Sequence, residues 1–300
     1  MSLADIAREL RPYTDEEVQR DWETLTRATS PTAHAGRRVC DRFFLEHRLA
    51  ASNGQTFLEW LDKHRETPWV LRFLPKTRRT GLRAYYETWR RYGRGGSVGS
   101  FPPAMARHIY QRYGARSVLD PCAGWGGRCL AALSMGLPYY GWDTNTDLRR
   151  AYEALASWVA VRGGGCPSTP VLQYQNAAEA DFSQYRYDMV LTSPPYWTGK
   201  RATEVYPHMP AWESREAFER EFLRPVVQNC WTHLVPGGHL CFNVPDGMLA
   251  VLVDVVGRPP DETVPMSLAR RRAQATYSES VHVWRKAIPQ SVGHLRQSNS

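Results

Sequence analysis

The chain has 300 residues, 42% of them hydrophobic and 12% aromatic, with a formal net charge of +8 at pH 7. This composition supports a large buried core and excludes both a disordered chain and a small disulfide-stapled fold. The longest apolar run, residues 249–256, contains Asp254 and is far shorter than the roughly 20 residues that a membrane-spanning helix needs, so we expect no membrane association.

Two further features limit the class of protein. Asp5 and Arg8 stand where a secretory signal would be apolar, so we expect the protein to remain in the cytoplasm. The six cysteines include no CxxC pair and no cluster with histidine at metal-ligand spacing, which predicts reduced thiols and no bound metal. The surplus of positive charge predicts attraction to a polyanion, and no feature specifies an oligomeric state.

Residues 1–95 are predicted to form a helical, basic region. Apolar residues recur at helical spacing in 15–26, 56–64 and 80–92. Between Lys63 and Arg94, ten basic residues stand against two acidic ones, with aromatic residues interleaved. This imbalance favours contact with nucleic-acid phosphates, with Arg78 and Arg79 among the contacts, over the alternative of solvated faces on amphipathic helices.

Residues 96–288 are predicted to form an α/β domain, separated from the helical region by the glycine-rich stretch 93–100 and followed by a disordered tail, 289–300. Strands and helices alternate, which implies a doubly wound, largely parallel sheet. Ligands of such sheets bind at the carboxyl ends of the strands. The predicted strands are 117–120, 139–142, 171–174, 187–192, 238–244 and 279–285, and the predicted helices are 128–135, 147–161 and 214–234.

A glycine-rich turn, Asp120-Pro-Cys-Ala-Gly-Trp-Gly-Gly, follows the first predicted strand. Glycines let the backbone turn tightly and approach a ligand closely. The spacing is not GxGxxG and no Lys-Ser or Lys-Thr follows, so a phosphate ligand is disfavoured. The turn suits a ligand with amine and carboxylate groups, such as the methionine part of S-adenosylmethionine, and we predict that Asp120, Cys122, Gly124 and Gly126 bind it.

Polar side chains also follow the next two strands. Asp143 ends the second strand, where a carboxylate can accept both hydrogen bonds of a ribose diol. Asn176, beyond the third strand, could bracket an adenine. For both residues the alternative is a helix cap, which we consider the weaker reading for Asp143 because of the glycine turn one strand earlier.

The sequence Thr-Ser193-Pro194-Pro195-Tyr196-Trp197 follows the fourth predicted strand. Two prolines can continue neither a strand ladder nor a helix, so the loop is rigid and its carbonyls are free to accept hydrogen bonds. A fixed carbonyl and a hydroxyl can hold an exocyclic amine, while Tyr196 stacks on its ring and Trp197 is a further stacking contact with the substrate base. The alternative is a strand end whose aromatic residues pack in the core.

In the following segment, 198–212, Lys200 and Arg201 are predicted to contact substrate, although solvated positions are an equal alternative.

Taken together, the glycine turn after the first strand and Ser-Pro-Pro-Tyr after the fourth resemble the amino-methyltransferases that modify exocyclic nitrogens of DNA bases. Phe101 and Pro102 resemble the segment of that family that lines the cofactor pocket, and Leu234-Val-Pro-Gly-Gly resembles its entry to the fifth strand. The resemblance implies S-adenosylmethionine as cofactor, DNA as partner, and a Rossmann-like, doubly wound methyltransferase sheet, here with a helical N-terminal extension.

Within that family the Ser form of the motif is typical of cytosine-N4 enzymes and the Asp form of adenine-N6 enzymes. The resemblance therefore implies methylation of cytosine N4 in DNA, with adenine N6 or an RNA base as the alternative. A second alternative is a catalytically idle nucleic-acid-binding protein. Neither a covalent mechanism through Cys122 nor a hydrolase with Ser193 as nucleophile fits, because Cys122 lies on the glycine turn and no GxSxG surrounds Ser193.

Departures from the family pattern occur at the glycine turn. Cys122 replaces the usual aromatic residue, and Trp125 and Arg128 occupy positions that are more often small or Thr. The chain after the fifth strand is too short for a sizeable target-recognition domain, so we expect the N-terminal region to hold the substrate.

Overall fold

The order of helices and strands follows the predicted change from a helical region to an α/β region. The computed structural model describes residues 2–11, 13–31, 34–51, 55–92, 98–162, 169–197, 206–266, 270–272, 275–277 and 280–289. Its helices are α1 (Leu3–Leu10), α2 (Asp15–Arg27), α3 (Arg37–Leu49), α4 (Phe57–His64), α5 (Pro68–Phe73), α6 (Gly81–Tyr92), α7 (Pro103–Arg112), α8 (Gly127–Leu133), α9 (Arg149–Ala160), α10 (Arg215–Phe218), α11 (Arg224–His233) and α12 (Asp246–Val256). Its strands are β1 (Val118–Asp120), β2 (Tyr139–Trp142), β3 (Val171–Gln173), β4 (Met189–Thr192), β5 (His239–Val244), β6 (Glu262–Pro265), β7 (Arg270–Arg272), β8 (Ala275–Tyr277) and β9 (Ser280–Arg285).

Local capping explains where two N-terminal helices begin. The Thr14 side chain accepts a hydrogen bond from the Glu17 N–H at the start of α2, and the Glu17 carboxylate accepts one from the Thr14 N–H. Thr56 and Glu59 form the same capping box at the start of α4. Such boxes satisfy backbone donors that the first turn leaves unpaired. Both helices therefore begin within one residue of the predicted position.

The predicted helix 214–234 is interrupted. Glu219–Leu223 forms a π-helical turn between α10 and α11. Pro225 stands in the first turn of α11 and has no N–H to donate to a preceding carbonyl, and its ring would crowd the carbonyl four residues earlier. A wider turn relieves this conflict, and such turns are frequent at functional sites.

Among the described residues, seven strands form one sheet in the order β3-β2-β1-β4-β5-β9-β6. Strands β1 to β5 are parallel, as predicted, whereas β9 is antiparallel to both β5 and β6. The strand order reverses between β1 and β4, and in open α/β sheets this point opens a crevice at the carboxyl ends of the strands. The sheet is the predicted Rossmann-like, doubly wound α/β sheet, with a helical N-terminal region beside it.

The N-terminal helices divide between two cores. Trp22 of α2 and Phe44 of α3 are buried with Leu130 and Leu155 of the helices that cover the sheet. Helices α1, α4, α5 and α6 instead share a separate core around Trp60. The predicted boundary at residue 95 therefore does not separate two cores, because α2 and α3 pack against the α/β region.

Two whole-chain properties complete the description. No helix in the described ranges is long and apolar enough to cross a membrane. In the same ranges no group of three or more His, Cys, Asp or Glu residues could hold a metal ion. Residues 290–300 of the predicted tail lie outside the described residues.

Candidate active site

The glycine turn and the Ser-Pro-Pro-Tyr loop line one cavity at the carboxyl ends of β1 and β4. The volume of the cavity is about 430 Å³. Its lining includes eight residues that the sequence analysis singled out, namely Phe101, Pro102, Cys122, Gly124, Asp143, Ser193, Pro195 and Tyr196. Parallel strands bring these loops together because β1 and β4 are hydrogen-bonded neighbours.

Asp120 lies beneath the cavity rather than on its wall. Its side chain is fully buried and accepts hydrogen bonds from Arg128 Nε (2.6 Å), the Tyr139 hydroxyl (2.6 Å) and the Thr192 hydroxyl (2.8 Å). The Cys122 N–H donates a further bond at 3.3 Å. With both oxygens occupied in this way, the carboxylate holds the turn to β2, β4 and α8. Asp120, which was predicted to bind the cofactor, is not among the described residues that line the cavity.

Arg128 explains one departure from the family pattern. Its guanidinium is buried against Asp120 and also donates to the carbonyl oxygen of Cys122. The Asp120 carboxylate raises the pKa of Arg128 against the opposing effect of burial, so Arg128 stays charged. This residue therefore ties the peptide backbone of the glycine turn to the strand that precedes it.

Gly126 has a packing function. Its φ of +72° is favoured by glycine, and a Cβ atom at this position would lie 2.3 Å from the ring of Phe44 on α3. Gly126 is not among the described residues that line the cavity, so its predicted contact with a cofactor is not seen. The glycine instead allows an N-terminal helix to pack against the turn.

Asp143 reaches the cavity from the end of β2. Its carboxylate accepts the Gly124 N–H at 2.8 Å and the Asn145 N–H at 2.9 Å, so it links the glycine turn to the next loop. Burial raises the pKa of Asp143 above the usual value for an aspartate, although both N–H groups lower it. Each oxygen keeps a further lone pair, and two acceptors side by side can take the two hydroxyls of a diol.

The remaining predicted site residues lie elsewhere. Asn176 caps a short 3₁₀ helix by accepting the Ala178 N–H, while its neighbours Gln175 and Ala177 line the cavity. Pro194 is buried and is not among the described residues that line the cavity, although Ser193 and Pro195 on either side of it are. The capping alternative thus describes Asn176, because its side-chain oxygen is used locally.

Trp197 packs in the core. The prediction had been that it contacts the substrate. Its side chain is 5% exposed and its ring stacks on Phe218, with ring centroids 5.7 Å apart. The cavity lining that the structure describes does not include Trp197, because the chain turns after Tyr196 and directs the indole towards α10. The predicted direct contact is therefore not made by this side chain.

The predicted basic contacts lie outside the cavity. Arg78 and Arg79 are exposed residues between α5 and α6 and are not among the described lining. Lys200 and Arg201 lie outside the described residues, as do residues 198–205 as a whole.

The Ser-Pro-Pro-Tyr loop is held by a buried amide that the sequence analysis missed. The Tyr196 hydroxyl donates to Asn243 Oδ1 at 2.8 Å, and the Ser193 hydroxyl lies 3.3 Å from the same oxygen. Asn243 Nδ2 donates in turn to the Ser280 carbonyl at 3.0 Å, which orients the amide. Asn243 is 2% exposed, lies on β5 and lines the cavity. A lone amide in the apolar strand His239–Val244 was the available signal.

Cys122 lacks the properties of a nucleophile, although it lines the cavity. Burial raises the pKa of its thiol well above the usual range, and nearby Asp120 raises it further. The thiolate is the reactive form, so Cys122 stays protonated and unreactive near neutral pH. This agrees with the rejection of covalent catalysis on sequence grounds.

The comparisons with known proteins give structural likeness without sequence likeness. No model of a known protein family matches the chain, and no curated protein matches it. Similar solved structures include TrmN from Thermus thermophilus (20% identity, TM-score 0.43), for which the match covers 63% of this chain and 50% of TrmN. They also include an RNA methyltransferase from Salinibacter ruber in complex with S-adenosyl-L-homocysteine (17% identity, TM-score 0.38, 65% of this chain and 98% of that one).

A third similar structure is the 16S rRNA N2 G1207 methyltransferase RsmC of T. thermophilus with AdoMet and guanosine, at 16% identity and a TM-score of 0.41. The match covers 66% of this chain and 49% of RsmC, so this chain spans about half the length of TrmN and of RsmC. The fold assignment rests on the strand order of the sheet itself.

The cavity lining fits S-adenosylmethionine. Asp143 offers two acceptors for a ribose diol, and Gly124 and Cys122 place backbone close to the cavity. A Cβ atom on Gly127 would lie 2.2 Å from the Phe101 carbonyl oxygen. Only glycine, which has no Cβ atom, allows the turn and the Phe101 segment to lie this close together. The lining thus combines diol acceptors with exposed backbone and an aromatic wall.

Proposed function

We propose that the protein transfers a methyl group from S-adenosylmethionine to the exocyclic amine of a nucleobase in DNA, with cytosine N4 as the acceptor. The observation that carries the proposal is the shared cavity of the glycine turn and Ser193, at the point where the strand order reverses. When bound, the cofactor supplies a methyl group on a sulfonium sulfur. The other contributions come from side chains and backbone of this chain.

Asp143 and the glycine turn orient the cofactor in this proposal. The Asp143 carboxylate accepts hydrogen bonds from the ribose hydroxyls, and Gln175 and Ala177 line the adjoining wall for the adenine. Phe101 and Pro102 also line the cavity, with the Phe101 backbone close to Gly127. Such positioning converts a bimolecular reaction into a local one and supplies a large part of the rate enhancement.

Ser193 makes the acceptor amine nucleophilic. The lone pair of an exocyclic amine is delocalised into the ring, and hydrogen bonds from its N–H groups to fixed acceptors localise it on nitrogen. Asn243 Oδ1 lies within hydrogen-bond distance of the Ser193 hydroxyl, so the serine proton points away and its lone pairs remain for the amine. The Pro194 carbonyl is the second acceptor in this proposal.

Tyr196 contacts the base from the side. Its hydroxyl is tied to Asn243, which fixes the ring at the cavity wall, and Trp197 behind it packs on Phe218 and keeps the loop rigid. A base in a duplex must leave the stack to reach such a cavity, which costs a few kcal/mol, and an aromatic contact offsets part of this cost. The exposed Arg78 and Arg79 hold the flanking phosphates.

Replacing Ser193 with alanine tests the proposal. We expect kcat for methylation of a cytosine-containing duplex to fall by about 100-fold, because one of two fixed acceptors for the amine is lost. The affinity for S-adenosylhomocysteine, measured by calorimetric titration, should stay the same. Ser157→Ala, an exposed position on α9, is the matched control and should leave kcat unchanged.

Mass spectrometry of the product nucleosides decides between the alternatives. N4-methylcytosine in DNA supports the proposal. N6-methyladenine would instead identify adenine as the acceptor base, and a methylated RNA nucleoside would identify RNA as the substrate. An unchanged kcat in Ser193→Ala would contradict the assigned role of this residue. Absence of S-adenosylhomocysteine binding to the wild-type protein would support the catalytically idle nucleic-acid-binding alternative.

The titration of Asp143 predicts a pH dependence of cofactor affinity. Because burial raises the pKa of this carboxyl, it becomes protonated at a higher pH than an ordinary aspartate, and the protonated form offers fewer acceptors to a diol. Affinity for S-adenosylhomocysteine should therefore be full at neutral pH and fall as the pH decreases through the raised pKa. Calorimetric titrations across this range measure it, with Asp143→Asn expected to be weaker and independent of pH. If the affinity of the wild type and that of Asp143→Asn fell in parallel as the pH decreased, the pH dependence would belong to another group.

A further inference from the structure

The same cavity extends beneath the N-terminal helices, where arginines replace the apolar lining. Arg37 and Arg48 of α3 and Arg83 and Arg90 of α6 line this end of the cavity. Residues 98–102 and the glycine turn line the same cavity, so the four arginines border the space in which the cofactor is proposed to bind. No sequence signal placed these four side chains together.

The positive charges at this end are only partly compensated. Arg48 pairs with Asp41 at 2.6 Å, and Arg90 has a long contact with Glu87 at 3.4 Å. Within the described ranges neither Arg37 nor Arg83 has an acidic partner at ion-pair distance or a side-chain hydrogen bond. Both residues line the cavity, so their guanidinium donors are available to an anion there.

Arg11 adds to the same field. Its Nε and Nη2 atoms are buried and have no hydrogen-bond partner in the part of the chain that the structure describes. The pKa of Arg11 is lowered to about 10, mainly by burial, with Asp41 opposing this effect and Arg48 adding to it. Burial also lowers the pKa of Arg37. Arg11 and Arg37 share the carboxylate of Asp41 with Arg48, so their charge is only partly compensated, and an anion in the cavity would offset the remainder.

We propose that Arg37 and Arg83 form a phosphate-binding subsite, which holds the phosphate adjacent to the base that is methylated. This rests on the proposed function and adds the group by which the substrate nucleotide is anchored. Planar guanidinium groups match phosphate oxygens in a bidentate manner, and the phenols of Tyr13 and Tyr86 line the same end.

The charge balance favours phosphate over the methionine head of the cofactor. An α-amino acid is a zwitterion without net charge and cannot neutralise two guanidinium groups, whereas a phosphodiester or a phosphate monoester carries one or two negative charges. The subsite is also inside the cavity, unlike the exposed Arg78 and Arg79. An everted nucleotide brings its own phosphate to such a position, while the neighbouring phosphates of a strand stay outside.

The test compares deoxycytidine with deoxycytidine 5′-monophosphate in calorimetric titrations of the full chain with S-adenosylhomocysteine present. We expect the wild-type protein to bind the monophosphate at least about tenfold more tightly, which is the size of one charge-assisted interaction. The Arg37→Gln/Arg83→Gln double variant should lose this preference and keep its affinity for S-adenosylhomocysteine. The Arg20→Gln/Arg27→Gln variant removes two exposed charges from α2 and should behave as wild type.

The subsite would be overturned if the wild-type protein bound the two compounds with equal affinity, or if the double variant kept the preference for the monophosphate. It would also be overturned if the double variant lost affinity for S-adenosylhomocysteine instead of the preference for the monophosphate. Far-UV circular dichroism and urea midpoints establish that the double variant is folded. A short DNA strand with one uncharged methylphosphonate next to the target cytosine tests whether the subsite binds a phosphate of a polynucleotide. Weaker binding of that strand supports the phosphate adjacent to the base, and unchanged binding restricts the subsite to free nucleotides and overturns its position beside the methylated base.

These measurements do not depend on turnover. A phosphate preference that the double variant abolishes, in a protein that methylates neither DNA nor RNA, would keep the subsite and reject the proposed function. Methylation of DNA without any phosphate preference would do the reverse.

Discussion

The Arg128→Met variant is expected to lose about 3–5 kcal/mol of unfolding free energy, because it leaves the Asp120 carboxylate buried without its cationic partner. The pair has an Nε–Oδ2 distance of 2.6 Å, and the two side chains are 5% and 0% exposed. Methionine fills a similar volume and removes the charge. Urea unfolding followed by circular dichroism measures the change.

The Asp120→Asn/Arg128→Met double variant is the internal control. It removes the uncompensated charge, so it should be more stable than Arg128→Met alone. Arg116→Met is the external control, since Arg116 pairs with Asp188 at 2.7 Å but its side chain is 81% exposed, and the loss should be below about 1 kcal/mol. Equal losses in Arg116→Met and Arg128→Met would show that Asp120 is not held as described.

The second large effect is expected for Gly127→Ala. The new Cβ atom would lie 2.2 Å from the carbonyl oxygen of Phe101, and since this neighbour is backbone, either α8 or the Phe101 segment has to move. Overpacking of this kind costs about 1–3 kcal/mol. Because both elements border the cavity, we also expect the affinity for S-adenosylhomocysteine to fall.

Gly247→Ala is the matched control for Gly127→Ala. Gly247 stands in the first turn of α12, and the nearest atom to an added Cβ is Arg215 Nη1 at 3.8 Å. The same substitution should therefore be neutral or stabilise the protein by up to about 1 kcal/mol, because alanine loses less conformational entropy than glycine in a helix. If Gly127→Ala matched this control in stability and in affinity for S-adenosylhomocysteine, the close approach of Gly127 to Phe101 would be needed neither for stability nor for cofactor binding.

Local sequence rules predicted the elements that local interactions specify. Helices α2 and α4 begin at capping boxes, and β1 to β5 were identified by their apolar character and their position after turns. Helix α3 was not predicted because it follows Gly36 without a side-chain cap and its apolar face is filled by contacts with distant helices. The antiparallel direction of β9 was not predicted either, since strand direction is a property of pairing.

The outcome for individual site residues follows the same division. Asp143 and Ser193 reach the cavity because each directly follows a strand of the parallel sheet, and Tyr196 lies further along the same loop as Ser193. Asp120 is the last residue of β1, at the same edge of the sheet, yet its oxygens are taken by partners that include Thr192, 72 residues away. Position after a strand therefore identified the edge of the sheet, and only the contacts decided which side chains face the cavity.

By itself the sequence determined the alternation of strands and helices, the glycine turn and the rigid proline loop, because glycine, proline and hydrophobic period restrict the backbone over a few residues. The tertiary structure alone decided that Trp197 packs inward, that Asn243 holds Ser193 from 50 residues away, and that Arg37 and Arg83 face the cavity. These outcomes depend on which surfaces meet when the sheet is assembled. Side-chain partners at such separations are set by packing and by the satisfaction of buried polar groups, for which a local pattern carries no signal.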